Sequence, residues 1–316
     1  MSKTYVIGVD GGGTKTLGIL MDETETELAR VSMPSSNIHA IAHSTVEEIL
    51  QSLVTSLCEQ GKIEPEDLQA ICLGMAGCDS PKDREVLESF LLPILRSDVQ
   101  LTIVNDAVVA MRAVLGKMHG ILLIAGTGSI CFGWNENTGE QARSGGWGHL
   151  LADEGSGYMI GLEGLRAILQ GVDGRGAETS LLPVIFEKLG YDVSEPRSLI
   201  QFVYGEKGTK ANIANLARYV FQEAVSGDCA SIRIVEAQAK ELARTIPPVF
   251  EKLYKNESGL IPIGLWGGNL VNVEIYREAF LKELNSFNLP LDVIIDAKAD
   301  AVIGAAKHAL FTLAEK

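Results

Sequence analysis

The chain has 316 residues, 46% hydrophobic and 22% charged, with 27 Lys and Arg against 41 Asp and Glu for a net charge of −14. At roughly 100–200 residues per domain the length suggests two domains with real cores, and the apolar fraction is too high for a disordered chain. So acidic a chain is a poor match for a polyphosphate groove, which argues against nucleic acid, although a local Lys or Arg can hold one small phosphate.

Five cysteines do not read as a disulfide framework. Cys72 and Cys78 are not at zinc-knuckle spacing, and Cys58, Cys131 and Cys229 stand alone, so all five read as small buried hydrophobes in a reducing cytoplasm. The start, MSKTYVIGVDGGG, reaches Asp10 and a glycine run too soon for a signal peptide. The uncharged stretch Met118–Asn135 is marginal in length for a membrane span and is broken by Gly120, Gly126, Gly128 and Gly133. The expectation is a cytoplasmic protein with neither a membrane nor a nucleic acid as partner.

In chain order, residues 4–10 and 16–21 read as short strands joined by a glycine turn, and a third strand covers 26–32. Ser44 with Glu47 reads as a capping box before a helix whose apolar face is Ile49, Leu50, Leu53, Val54 and Leu57. Residues 69–74 read as a buried strand, and Ser80-Pro81-Lys82-Asp83 starts a second helix with serine as cap and proline in the first turn. Residues 100–104 form another strand, after which Asn105-Asp106 opens a helix. The opening pattern then recurs. Residues 120–144 again give an apolar strand, a Gly-Thr-Gly turn, a second strand, an Asn/Thr/Gly turn and a third strand. A helical stretch spans about 154–256, followed by strand 261–266, a helix from about 271 to 286, strand 291–295 and a last helix from Asp300. Two glycine hairpins of one design, roughly 115 residues apart, indicate a duplicated α/β unit.

The glycine turns carry the chemistry. In Asp10-Gly11-Gly12-Gly13-Thr14-Lys15 the glycines let the backbone approach an anion with no side chain in the way. Thr14 adds a hydroxyl, Lys15 a point charge and Asp10 a carboxylate able to hold Mg²⁺ through water. Ala125-Gly126-Thr127-Gly128-Ser129 repeats the device without charges. Either turn alone could be a tight hairpin and nothing more; the two together favour a phosphate clamp between two domains. There is no G-x-x-x-x-G-K-[ST], and Gly155-Ser156-Gly157 follows Asp153-Glu154 rather than a strand, so P-loop and dinucleotide readings fail. A third turn, Gly267-Gly268-Asn269, follows a strand and opens a helix, which suits the adenosine end of a nucleotide.

The paired hairpins, Asn105-Asp106 and above all Gly145-Gly146-Trp147-Gly148-His149-Leu150-Leu151-Ala152-Asp153-Glu154-Gly155-Ser156-Gly157 resemble the N-acetylglucosamine kinases of the BadF/BadG/BcrA/BcrD group of actin-like ATPases. The resemblance spans essentially the whole chain. It implies an α/β fold of two ribonuclease-H-like domains, each with a mixed five-stranded sheet, with ATP in the cleft between them and the sugar beside it. The domains would be 1–117, with helix 300–316 packing back on it, and a larger 118–299 with a helical insertion. By the same resemblance Asp106 is the general base, and the sugar site is Asn37, Asp106, Ser129, Gly145, Gly146, Trp147 and Asp153, with Trp147 as an apolar wall. The nucleotide would lie on Gly12, Gly13, Thr14, Lys15, Thr127, Gly128, Gly267 and Gly268, with Asp10 on the Mg²⁺ side. Read without the resemblance, Asp106 could equally be the cap of its helix. A homodimer is implied by analogy only.

Four residues depart from the animal enzymes: Ile38 and His39 after Asn37, Ile130 after Gly-Thr-Gly-Ser, and Ala152 before Asp153-Glu154. They fall near the sugar residues and so bear on which sugar is taken; a more apolar pocket would suit the lactyl ether of N-acetylmuramic acid. The expected activity is ATP-dependent phosphorylation of the 6-hydroxyl of N-acetylglucosamine, with N-acetylmuramic acid or glucosamine as further substrates. The alternatives are an ATPase that activates a partner dehydratase, which would want a cysteine just before the Gly-Thr-Gly turn where Ile124-Ala125 stand, and a non-catalytic sugar sensor. His39 and His43 have helical metal-ligand spacing but no third ligand, His149 reads as a hydrogen-bonded core histidine, and Lys240, Glu241 and Arg244 read as a solvated face.

Overall fold

A computed structural model of the protein describes residues 3–13, 15–78, 80–296 and 298–314. The chain divides into two compact units, one running to Met118 and including the segment from Lys298, the other beginning at His119.

In the first unit β1 (Tyr5–Gly11) is central. It pairs antiparallel with β2 (Lys15–Asp22), which pairs with β3 (Glu27–Pro34), and on its other side runs parallel to β4 (Leu68–Met75) and then β5 (Gln100–Asn105). Gly11 is in register with Met75 and Met75 with Asn105, so the carboxyl ends of the three parallel strands finish level. β1 and β4 are almost wholly apolar because both of their faces are covered.

Helix α1 (His43–Gly61) buries Val46, Leu50, Leu53, Val54 and Leu57. Its cap, however, is Ala42, with no side-chain cap bond, and Ser44 lies inside the first turn. The Asn37 carbonyl takes the N–H groups of Ala40 and Ile41, and that turn sets the chain on its helical course before Ser44 is reached. Helix α2 (Pro81–Leu91) starts as its residues dictate: Ser80 Oγ accepts from Asp83 N–H at 3.2 Å, and Asp83 Oδ2 accepts from Ser80 N–H at 2.9 Å. Helix α3 (Asp106–Leu115) follows β5 directly.

The second unit repeats the design: β6 (Gly120–Ala125), β7 (Ser129–Asn135) and β8 (Glu140–Ser144) form the antiparallel half, while β9 (Ile261–Trp266) and β10 (Leu291–Ile295) run parallel to β6. Where the first unit has α1 alone, the second inserts α4 (Gly157–Val172), α5 (Leu181–Leu189), α6 (Ser198–Tyr204), α7 (Lys210–Ala214), α8 (Ala217–Val225), α9 (Cys229–Ala243) and α10 (Ile246–Leu253). After β9 come two helices, α11 (Gly268–Asn272) and α12 (Glu274–Ser286), not the single helix that the pattern suggests. The break is stabilised by Arg277, whose Nη1 donates to the Leu270 and Val271 carbonyls at 3.2 and 2.8 Å.

The last helix, α13 (Ala301–Ala314), belongs to the first unit, where it packs on β1, β4 and α3. The approach is close because of Gly8: a Cβ there would lie 2.2 Å from the Ala306 nitrogen. Four cysteines are buried, but Cys229, at the start of α9, is exposed, so the expectation of five core thiols fails there. Among the described residues no helix is long and apolar enough to cross a membrane.

Candidate functional site

Asp10 sits near the end of β1, in register with Leu17 and Gly74. The turn beyond it is tied by Gly12 N–H to the Lys15 carbonyl (3.0 Å) and by Ser35 Oγ, which donates to the Gly12 carbonyl (3.0 Å). Gly13 is open, with no atom near a would-be Cβ. Thr14 lies outside the described residues. The Asp10 carboxyl is pushed up to about 6, first by burial and then by the carboxylates of Asp106 and Asp300, against the opposing pull of Lys15. The first unit therefore gathers Asp10, Lys15 and Asp106 as the residues suggest, and adds Asp300. Asp300 holds Arg30 at 2.8 Å and accepts the Val302 N–H at 3.3 Å as α13 begins. In the sequence it looked only like a helix start.

Asp106 occupies the first position of α3, and its role as cap is excluded: Asn105 is the cap, its Oδ1 accepting from Ala107 N–H at 2.9 Å. Asn37 Oδ1 accepts from His39 N–H (2.9 Å). His39 Nε2 is 2.9 Å from the Gly77 carbonyl and 3.4 Å from Asp83, a contact within the fold and not a metal arm. Ile38 is buried in the core of its unit, so it does not make a pocket more apolar.

In the second unit the carbonyls of the Gly-Thr-Gly turn face the start of α4 and Asn269. Gly126 O accepts from Gly157 N–H (2.7 Å) and Asn269 Nδ2 (3.1 Å), and Thr127 O from Tyr158 N–H (3.3 Å). A trans peptide points its N–H opposite its C=O, so the N–H groups of Thr127 and Gly128 are turned away from α4 and Asn269. Two such N–H groups form a seat for an anion. Gly267, with φ +94°, comes up beside this turn; a Cβ on it would stand 2.4 Å from the Ala125 carbonyl.

Asp153 is nearly inaccessible (3% exposed), and its Oδ2 accepts from Lys210 Nζ at 2.7 Å. The pair lies against the same turn: a Cβ on Gly128 would be 3.0 Å from Nζ and 3.1 Å from Oδ2. Ser129 is buried and gives its hydroxyl to the Glu154 carbonyl (2.7 Å), fastening the Asp-Glu-Gly-Ser segment. That segment is held again by Gln238 Oε1, accepting from Gly155 N–H (2.9 Å), and by Tyr276, whose hydroxyl donates to the Gly155 carbonyl (2.7 Å). Thr127, Gly128, Ser129, Asp153, Gly267 and Gly268 are thus assembled at one end of the sheet.

Gly145, Gly146 and Trp147 lie on the loop after β8, with Gly146 packed over Ile130. Trp147 is 61% exposed, and its ring is covered on one face by the Arg143 guanidinium at 4.0 Å, so the wall is not a bare apolar one. His149 is half-buried and edge-on to the Tyr158 ring at 4.7 Å. Lys210 was not singled out from the sequence; the only local sign is Thr209, which caps α7 by accepting the Asn212 N–H. Among the described residues no group of three or more His, Cys, Asp or Glu could hold a metal. A cation at Asp10 would have one carboxylate, water and the oxygens of its own ligand, which suits magnesium phosphate and not an all-protein cage.

A sequence model of the BadF/BadG/BcrA/BcrD ATPase family matches residues 7–309. The chain is 36% identical over 301 residues to the N-acetylmuramic acid/N-acetylglucosamine kinase of Clostridium acetobutylicum, covering 95% of this chain and 96% of the relative. It is also 36% identical over 321 residues to the N-acetyl-D-glucosamine kinase of Dictyostelium discoideum, covering 98% and 99%. Among solved structures, that of a candidate N-acetylglucosamine kinase from Chromobacterium violaceum matches with a TM-score of 0.71 at 24% identity, covering 96% of this chain and 97% of the other.

Proposed function

Because the chain belongs to the BadF/BadG/BcrA/BcrD ATPase family, we propose that it is an ATP-dependent kinase of an amino sugar, transferring the γ-phosphoryl group to the 6-hydroxyl of N-acetylglucosamine, with N-acetylmuramic acid as a second substrate. The observation that carries this reading is the position of Asp106. It stands at the carboxyl edge of the parallel strands, next to the glycine turn of β1, with the capping role taken by Asn105.

Asp106 accepts the proton of the 6-hydroxyl as that oxygen attacks the γ-phosphorus. A P–O bond to the sugar forms, the bond from the γ-phosphorus to the bridging oxygen breaks, and ADP leaves with that electron pair. In the first unit the Gly13 N–H, with Lys15 as counter-charge, is a seat for phosphate, and in the second the N–H groups of Thr127 and Gly128 are another. Asp10 would hold the Mg²⁺ that comes with ATP, and the ion would supply charge neutralisation on the phosphates. Asn37 in the first unit orients the sugar through its hydroxyls, and in the second unit the same task is assigned to Asp153. The partner-activating alternative finds no support at Cys131, which is fully buried in β7 with its thiol pushed up to about 12 by that burial.

The deciding measurement is ADP release with Mg·ATP against N-acetylglucosamine, N-acetylmuramic acid, glucosamine, glucose and no sugar. A rate that depends on one or two acetylated sugars is expected. Sugar-independent hydrolysis, or none, overturns the reading.

A further inference from the structure

We infer that Lys210 is a positioning residue, holding the carboxylate of Asp153 in place against the Gly126–Gly128 turn. The inference rests on the sugar-kinase reading above, and deepens it at one site.

A carboxylate as inaccessible as that of Asp153 is unfavourable without a counter-charge, and Lys210 Nζ at 2.7 Å supplies one. The lysine side chain is about a third exposed, so the pair is reached from the lysine side and not from the carboxylate. Its delivery is rigid. Thr209 caps α7, and α7 is pressed onto α4 where Gly161 leaves room: a Cβ there would be 2.1 Å from the Ile213 carbonyl. Gly128 has a negative φ, so backbone conformation does not demand glycine there; a Cβ would instead press on the Lys210–Asp153 pair at 3.0 and 3.1 Å, which the pair relieves only by shifting a few tenths of an ångström. The phosphate turn, the lysine and the carboxylate are therefore one packed unit, and movement of any one is felt by the other two.

The test is initial-rate kinetics on Lys210→Met, Lys210→Arg, Asp153→Asn and the double variant K210M/D153N, with N-acetylglucosamine and ATP each varied and thermal unfolding recorded alongside. Lys210→Met should raise the sugar KM at least tenfold with a much smaller change in kcat, and Lys210→Arg should recover most of it. In the Asp153→Asn background the lysine substitution should add little. Should Lys210→Met not fold, Gly128→Ala presses on the pair without removing a charge, and a smaller rise in sugar KM is expected. An unchanged sugar KM in Lys210→Met or Gly128→Ala, an unchanged one in Asp153→Asn, or an equal lysine effect in both backgrounds overturns the inference. Absence of sugar-dependent ADP release in the unsubstituted protein would instead overturn the kinase reading, so the two failures are distinct.

Discussion

The Oδ1 atom of Asn105 accepts a hydrogen bond from the backbone N–H of Ala107 at 2.9 Å, which makes Asn105, and not Asp106, the cap of α3. The two neighbours thereby divide the labour, and their substitutions should separate. Asn105→Ala should cost about 1 kcal/mol of stability through the lost cap. Asp106→Asn should leave stability and ligand binding nearly intact while lowering kcat by roughly 10²–10⁴ for a lost general base. Urea titration and steady-state kinetics on the two variants check this; full turnover in Asp106→Asn would remove its assigned role.

The seam between β1 and α13 should tolerate no added atom at Gly8. Its Cβ would meet backbone atoms of Ala306 at 2.2 Å and 2.8 Å, and backbone cannot swing aside as a side-chain tip can. Gly8→Ala should therefore destabilise the protein by about 1–3 kcal/mol or more. A melting temperature unchanged from the parent would show that α13 can slide at no cost.

Tyr276 gives a test of the segment that carries Asp153. Its buried hydroxyl donates to the Gly155 carbonyl at 2.7 Å, and phenylalanine would leave that carbonyl unsatisfied. Tyr276→Phe should cost about 1–3 kcal/mol. Because Gly155 is two residues from Asp153, the sugar KM should also rise. A stability loss with sugar KM unchanged would mean that Ser129 and Gln238 suffice to hold the segment.

His308, on the buried face of α13, supplies a pH dependence. Burial, and then the positive charge of Arg112, depress its imidazole to about 4 from an unfolded value near 6.5. Between those values the unfolded chain holds a proton that the folded one does not. Stability from this group is thus complete above pH 6.5 and is lost as pH falls toward 4, by about 3 kcal/mol in all. His308→Leu should flatten the stability profile over that window in denaturant titrations at pH 7, 5.5 and 4.5. An equally steep fall in the variant would assign the loss to other groups.

Much of the fold was legible because its signals are local. Ser80, Pro81 and Asp83 mark the start of α2 within four residues, and the structure uses them so. The two glycine hairpins announced the repeated sheet, and both sheets have the same strand order. Ser44 misled because a capping box is a pattern of two side chains, while the turn at Asn37, upstream, decided where α1 begins. The single helix expected at 271–286 failed because its apolar period runs through Val273, and the carbonyls that Arg277 satisfies cannot be read from periodicity.

By itself, then, the sequence determined what short-range chemistry determines: strands, glycine turns, the Ser80 cap and the doubling of one α/β plan. Only the tertiary structure decided which charges meet. Asp300 joins Asp10 and Asp106 because α13 returns from the far end of the chain, and Lys210 finds Asp153 across 57 residues because α7 fits onto α4. Arg143 covers Trp147 from the end of β8. Such pairings follow from how helices pack onto sheets, and no spacing in the chain encodes them. A buried charge is stable only with a partner nearby, so the partners were settled by the packing that buried it.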